Sequence, residues 1–447
     1  MAREMKDSGV AWIGEIPSTW SIQRMKNCIA SRQSGAWGDD ATGETGDAIC
    51  LRIADFDYAR FRFKETPVEE LTVRHYAQDV IERLKLAKGD ILIEKSGGGE
   101  KTPVGRTVIF DKDYTALYAN FMDCLRCTSA VYPQFMQYVF VTFYKNDYSR
   151  NYIKQTTGIQ NLDLTAMLAT EVVATPPIDE QICIATFLDR KCAEIDSVIA
   201  DTQRTIEEYK KLKQSIITEA VTKGVRGKRT MKDSGIEWIG EVPTEWKILS
   251  LSQVTSSMRN GYVGPTKDLF VDEGVRYIQS LHVKDGAIIF SNGEYYVRPE
   301  WAQQHPKIHT DDILIVQTGD IGQVGLVLEE FDNCNCHALI IATPDKTVIK
   351  PKYLTYYLRS VVGKELLLFY KTGALLPHLN SGKIKFAAIT CPLFDEQSEI
   401  ITYLDNKCTE VDKLIAAKEQ LLRELESYKK SVIYEHVTGK KEVPACR

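Results

Sequence analysis

The chain repeats itself. Residues 5–20 read MKDSGVAWIGEIPSTW and residues 231–246 read MKDSGIEWIGEVPTEW, with eleven of sixteen positions identical. Chance does not supply such a match, so the fold must contain two equivalent units, and this self-similarity outranks any single motif. The correspondence continues in GDILIEKSGG from Gly89 and DDILIVQTGD from Asp311, fades, and returns in FLDRKCAEIDSVIA from Phe187 and YLDNKCTEVDKLIA from Tyr403. Both halves close alike, in EAVTKG from Glu219 and EHVTGK from Glu435. Each half therefore has a shared leading segment, a long divergent middle and a shared charged tail.

The tails predict long helices. After Pro176 and Pro177, apolar residues fall at Ile195, Ile199, Ile206, Tyr209 and Ile216, a three-four spacing interrupted by the polar Thr202 and Lys213. The second tail repeats the seam at Val411, Ile415, Leu422, Leu425 and Val432. No proline or glycine breaks either run before Gly224 and Gly439. Such a seam is that of a coiled coil, and the nearest partner for each helix is the other one. Equivalence of the halves requires the two helices to run antiparallel about a pseudo-two-fold axis. A helix of about 35 residues is roughly 50 Å long, which spans about fifteen base pairs of duplex.

The middles mix short β-rich runs with turn residues, so each predicts an α/β (α+β) domain on a curved or mixed sheet. The expected organisation is a first globular domain at 1–180, a long spacer helix at 181–228, a second domain at 229–396 and a second spacer helix at 397–440.

Composition narrows the function. No run of eighteen apolar residues occurs, and MAREMKDSGVAW lacks the apolar core of a signal peptide, so a cytoplasmic protein with no membrane partner is expected. Eleven cysteines in a chain of 447 residues predict reduced thiols. The CxxC of Cys124 and Cys127 and the cluster Cys334, Cys336 and His337 lack a second pair at zinc-finger spacing, so they read as core cysteines and no metal is expected. The net charge of −5 argues against a wholesale nucleic-acid coat. From Arg204 to Lys232 basic residues dominate, which suits either phosphates, an acidic partner or a solvated helix face.

Shared chemistry in the middles sits on loops that follow apolar strands. KSGGGEKTPVGR runs from Lys95 to Arg106 and QTGDIGQVG from Gln317 to Gly325. A further pair is TTGIQNL at Thr156 and KTGALLPHLN at Lys371. Small residues beside Lys, Gln, Asn or His let backbone N–H groups and amides approach phosphates and base edges, and recurrence at matched positions favours a nucleic-acid role. SGGGEKT fails as a P-loop because Glu100 precedes Lys101 and the second copy has no lysine there. Glu94 and Lys95 are adjacent on a strand and so point to opposite faces, unlike a nuclease pair. No HExxH, GxSxG or NPPY occurs, so no catalytic residue is expected.

The doubled KDSGxxWIGExPxxW at Lys6 and Lys232, the PPIDEQ and CPLFDEQ junctions at Pro176 and Cys391, and the FLDRK and YLDNK helix starts resemble the specificity subunits of Type I restriction-modification systems. The resemblance covers essentially the whole chain. It implies that each middle is a target-recognition domain reading one half of an asymmetric, bipartite DNA site, with the helices as spacer. It implies as partners double-stranded DNA, two methyltransferase subunits and motor-nuclease (restriction) subunits. S-adenosylmethionine, ATP and magnesium would belong to those subunits, with none bound by this chain. The residues expected to touch DNA are Arg52, Lys95, Ser96, Gly98, Lys101, Arg106, Gln160 and Asn161 in the first domain. In the second they are Gln279, Gln317, Thr318, Gln323, His378 and Asn380. Arg and Lys suit guanine, and Gln and Asn suit adenine. The competing readings are a coiled-coil adaptor that binds protein and a self-sufficient nuclease or methyltransferase.

Overall fold

The structure, a computed structural model, describes residues 3–155, 158–291, 293–373 and 377–443. Two compact units are present: Met1–Gln203 with Gln420–Arg447 (unit one), and Arg204–Glu419 (unit two). Both are mixed α/β, and the chain carries two long helices, Ile178–Lys223 and Phe394–Val437. This is the fold class expected from the sequence.

The repeated signature is a lock. In unit one Met5–Asp7 pairs antiparallel with Glu15–Pro17, and in unit two Met231–Asp233 pairs with Glu241–Pro243. Asp7 and Asp233 cap the turns by accepting the N–H of Gly9 (2.9 Å) and Gly235 (3.0 Å). Those glycines have φ of +69° and +74°, the left-handed region that side chains disfavour. The closing tryptophans are buried, and their indole N–H groups donate to the helix-start glutamates, Trp20 to Glu180 at 3.0 Å and Trp246 to Glu396 at 2.9 Å. The second oxygen of each glutamate takes an arginine, Arg3 at 2.6 Å and Arg229 at 2.5 Å. The neighbouring Gln181 and Gln397, fully buried, accept the N–H of Tyr132 (2.8 Å) and Lys350 (2.7 Å). The two shared motifs, separated by about 150 residues of divergent chain, thus form one physical device, which explains why they recur together.

Unit one holds a six-stranded sheet in the order Ile29–Ser34, Met122–Cys127, Ile91–Glu94, Thr107–Ile109, Arg62–Phe63 and Phe56–Asp57. Unit two holds a four-stranded counterpart in the order Thr255–Asn260, Leu339–Pro344, Ile313–Val316 and Val324–Leu326. The ILIE and ILIV runs are interior strands buried at all four positions, which is why their apolar residues do not alternate. Pro133–Lys145 in unit one and Pro351–Arg359 in unit two pack on these sheets.

The long helices contain 46 and 44 residues, and each begins three residues before the expected spacer bounds of 181–228 and 397–440 and ends before them. Within unit one the pairing is antiparallel, with Phe187 beside His436 (4.7 Å) and Asp196 bonded to Lys429 (2.7 and 2.8 Å). Within unit two Lys213 bonds Asp412 (2.8 and 3.0 Å) and Arg226 bonds Glu399 (2.7 and 2.8 Å), again antiparallel. Ile195, Ile206, Val411 and Val432 are buried, whereas Ile199, Tyr209, Ile216, Ile415, Leu422 and Leu425 are half-buried. Ile217, next to Ile216, is fully buried. Buried positions 195, 206 and 217, and 202 and 213, recur every eleven residues. That period keeps one face together on a nearly straight helix better than a heptad does. Thr202 and Lys213, the polar interruptions of the seam, are therefore buried within it.

Nine described cysteines are free thiols, as expected, but Cys183 departs from the expectation and is disulfide-bonded. Among the described residues no helix is long and apolar enough to cross a membrane.

Candidate nucleic-acid interface

In unit one the chain leaves the buried strand Ile91–Glu94 and turns outward at Lys95. The N–H groups of Lys95 and Ser96 both reach the Phe121 carbonyl, at 2.9 and 3.3 Å. Ser96–Gly97 then pairs antiparallel with Gln160–Leu162, opposing Ser96 to Asn161 and Gly97 to Gln160. The fold thereby joins two loops that lie some sixty residues apart, and the Ser96 hydroxyl donates to Asn161 Oδ1 at 2.7 Å. Lys101 is exposed at the tip of the first loop, where Gly99 and Thr102 bond each other. Gly98 has φ +60°, and a Cβ there would lie 2.9 Å from the Val104 nitrogen, so the loop needs glycine.

Other predicted residues are occupied inside the protein. Arg106 donates two bonds to Glu94 (2.7 and 2.9 Å), lies 3.6 Å over the Tyr58 ring and keeps only 15% of its side chain exposed. It braces the loop from below. Burial pushes the Glu94 carboxyl above its usual range, against the opposing pull of Arg106. Gln160 is buried and accepts the Val104 N–H at 3.3 Å. Arg52, half-exposed, pairs with Asp55 at 3.1 Å at the start of a short 3-10 turn.

Lys95 donates to Ser34 (2.8 Å) and Asp123 (2.7 Å), and Arg32 closes on the other oxygen of Asp123 at 2.5 Å. Asp123 is fully buried. Burial alone would raise its pKa, but the hydrogen bonds from Lys95, Ser34 and Arg32 outweigh it and hold the carboxyl below the ordinary range. Sequence reasoning missed Arg32 and Asp123. No local pattern marks them, since Arg32, Lys95 and Asp123 meet only through strand pairing.

Unit two builds the same frame with other side chains. Leu379 N bonds the Gln317 carbonyl at 2.9 Å, as Leu162 N bonds that of Lys95 at 2.8 Å. Thr318 bridges to His378, and Lys371–Thr372 pairs with His378–Leu379. Thr318 and His378 are exposed, and the His378 ring lies 3.4 Å from the Thr372 hydroxyl. Gln323 takes the place of Arg106, accepting the Asp285 N–H and donating to Asp320, both at 3.2 Å. Gln279 stands where Arg52 does, ahead of the 3-10 turn Ser280–His282, its N–H donated to His282 Nδ1 at 3.0 Å. Asn380 is a helix cap whose Oδ1 accepts the Gly382 N–H at 2.8 Å. Thr156 and Thr157 of the TTGIQNL motif, and residues 374–376 of KTGALLPHLN, lie outside the described residues.

Cys124, Cys334 and Cys336 are buried, and burial pushes the half-buried Cys127 thiol up to about 12. Among the described residues no group of three His, Cys, Asp or Glu side chains is arranged to hold a metal.

Two units, each with an interior strand that feeds a polar loop pair, repeat one architecture within the chain. Residues 243–427 match the family described as the Type I restriction modification DNA specificity domain. The chain is 23% identical over 438 residues to MjaX, a candidate type I restriction enzyme specificity subunit of Methanocaldococcus jannaschii, covering 96% of this chain and 95% of that one. It is 23% identical over 286 residues to the EcoBI specificity subunit of Escherichia coli, covering 61% and 59% respectively. A chain from a solved structure devoted to complex assembly and conformational transition of the type I R-M system superposes with a TM-score of 0.70 at 14% identity. It covers 95% of this chain and 99% of that one, a likeness of fold. Over most of its length the chain is similar to type I restriction-modification specificity subunits, and residues 243–427 carry the matching DNA specificity domain.

Proposed function

We propose that the chain reads an asymmetric, bipartite duplex DNA site, one half with each unit, and scaffolds two methyltransferase subunits and the motor-nuclease subunits around its long helices. The observation that carries this reading is the repetition of one backbone frame with different side chains. Ser96 opposite Asn161 and Thr318 opposite His378 occupy the same place in their units. A frame that stays fixed while its polar side chains change is what reading two unlike half-sites requires. Lys101 and Lys95 supply phosphate contact for the first half, and the uninterrupted helices supply the spacer. S-adenosylmethionine, ATP and magnesium act on the partner subunits, and the complex works in the cytoplasm, where its DNA is.

Methylome sequencing of cells with and without this gene tests the reading. The expected result is one bipartite adenine-methylation motif that disappears with the gene; an unchanged methylome overturns it. A protein-binding adaptor is distinguished by salt: DNA reading gives log affinity falling linearly with log salt, because neutralised phosphates release counterions, whereas an adaptor shows no DNA binding to titrate.

A further inference from the structure

Three large apolar side chains that unit one leaves in solvent stand on its loop pair or on segments tied to it through the Phe121 turn: Phe121 is 48% exposed, Trp37 41% and Ile159 51%. Phe121 supplies the carbonyl that takes the N–H groups of Lys95 and Ser96. Ile159 immediately precedes the strand that pairs with Ser96 and Gly97. Trp37 follows Gly35 and Ala36, whose N–H groups bond the Met122 and Tyr118 carbonyls at 3.1 Å each. A Cβ on Gly35 would lie 2.4 Å from the Ala119 carbonyl, so only glycine lets this segment cross the Phe121 turn so closely.

Both rings are mounted on fixed backbone. Arg74 lies 4.8 Å over the Trp37 ring and is tied to the Trp37 and Gly38 carbonyls at 3.4 and 3.1 Å. An exposed large apolar side chain forgoes about 1.5–3 kcal/mol of burial, and one alone needs no explanation. The same segments carry the cations Arg32, Lys95, Lys101 and Lys154: Arg32 and Lys95 share the single carboxylate of Asp123, Lys154 pairs with Asp163, and Glu100 precedes Lys101. A duplex satisfies both kinds of group, offering phosphates to the cations and, where a base step is unstacked, base faces to the rings.

Unit two has no such rings at these positions. Leu339 pairs with Val316 as Met122 pairs with Glu94, which places Ala338 where unit one has Phe121. Gly261 N bonds the Leu339 carbonyl as Gly35 N bonds that of Met122, which places Val263 at the position of Trp37.

We propose that Phe121 and Trp37 form an aromatic wedge that enters the base stack of the half-site read by unit one, whereas unit two reads its half without unstacking a step there. The inference rests on the DNA-reading role proposed above. Inserted apolar side chains replace base–base stacking and kink the duplex, at a cost of a few kcal/mol per step that the extra contact surface offsets. The first half-site therefore favours an easily unstacked pyrimidine–purine step beside the wedge.

The test uses the chain purified with its methyltransferase subunits and duplexes carrying 2-aminopurine at successive steps of both half-sites. Fluorescence is expected to rise at one step of one half-site. Phe121→Ala and Trp37→Ala should abolish that rise and weaken specific binding about tenfold each, with the other half-site and the salt slope unchanged. Phe121→Tyr, which keeps a ring, should preserve the rise. Specific binding without any rise, or a rise that survives both alanine variants, overturns the wedge and leaves DNA reading intact. Absence of salt-dependent binding to any duplex overturns both.

Discussion

Below the reading loops the two units solve one backbone problem with opposite chemistry. Glu94 N bonds the Arg106 carbonyl at 2.9 Å, and Val316 N bonds that of Gln323 at 2.9 Å. Around this shared bond unit one is ionic, with Glu94 on Arg106 and with Asp123 on Lys95 and Arg32. Unit two has Val316 and Ile340 at the positions of Glu94 and Asp123, both fully buried. The helix-start locks, by contrast, keep the same Trp, Arg and Glu in both copies. The helix-start locks kept their chemistry, whereas the buried positions beneath the loops changed theirs, because ladder bonds tolerate any side chain that packs.

The largest effect is expected at the locks. Glu396 is fully buried, so Glu396→Ala strands Arg229 and the Trp246 N–H and should cost about 3–5 kcal/mol of unit-two stability. Glu180, 18% exposed with Arg3 25% exposed, should cost less in unit one. Hydrogen exchange on peptides from each unit checks this; equal losses would break the comparison.

Next come the two seam lysines. Lys429→Met leaves Asp196, only 15% exposed, without its cation and should cost about 3 kcal/mol. Lys213→Met leaves Asp412 and Asp285, which are 54% and 44% exposed, in contact with water and should cost about 1 kcal/mol. Urea unfolding of the two variants decides it, and the reverse order would mean that burial does not set these costs. Polar substitutions at the half-buried Ile199 and Leu422 should also loosen the helix pair and weaken methyltransferase assembly on a sizing column.

The ionic base of unit one has a pH signature that unit two lacks at the corresponding positions. Asp123, with its folded pKa depressed, contributes stability that is present above the unfolded carboxylate value, about 3.9, and is lost as pH falls through its lower folded value. Glu94, raised by burial, acts with the opposite sign: its contribution is present below its unfolded value and lost as pH rises through the folded one. Asp123→Asn should therefore reduce the acid sensitivity of unit one, and Glu94→Gln should remove a loss on the alkaline side of its titration. Melting scans from pH 3 to 7 that show no difference from the parent would contradict both assignments.

The smallest effect sharpens the division between positioning and reading. Lys101→Ala should weaken binding evenly across sequences and lower the salt slope by about 1, as removal of one phosphate contact does. Thr318→Ala should instead relax base preference in one half-site without changing the slope. Titrations of matched and mismatched duplexes at several salt concentrations separate the two.

The doubled signature, the interior ILIE and ILIV strands and the two uninterrupted helices were legible in the residues, because repetition and periodicity are properties of linear order. So was the place of the polar loops, which follow those strands. Which loop residues are free was not legible. Arg106 and Gln160 carry the composition of base readers yet face inward, and Asn380 is spent on a helix cap. Lys213 reads as an interruption of an apolar stripe until Asp412 comes within 2.8 Å of it. A charged or amide side chain is defined by whatever lies within hydrogen-bond reach, and in this protein those partners are often tens to more than two hundred residues away. Local sequence chose the strands and helices; only tertiary folding chose which polar groups satisfy one another and which stay exposed.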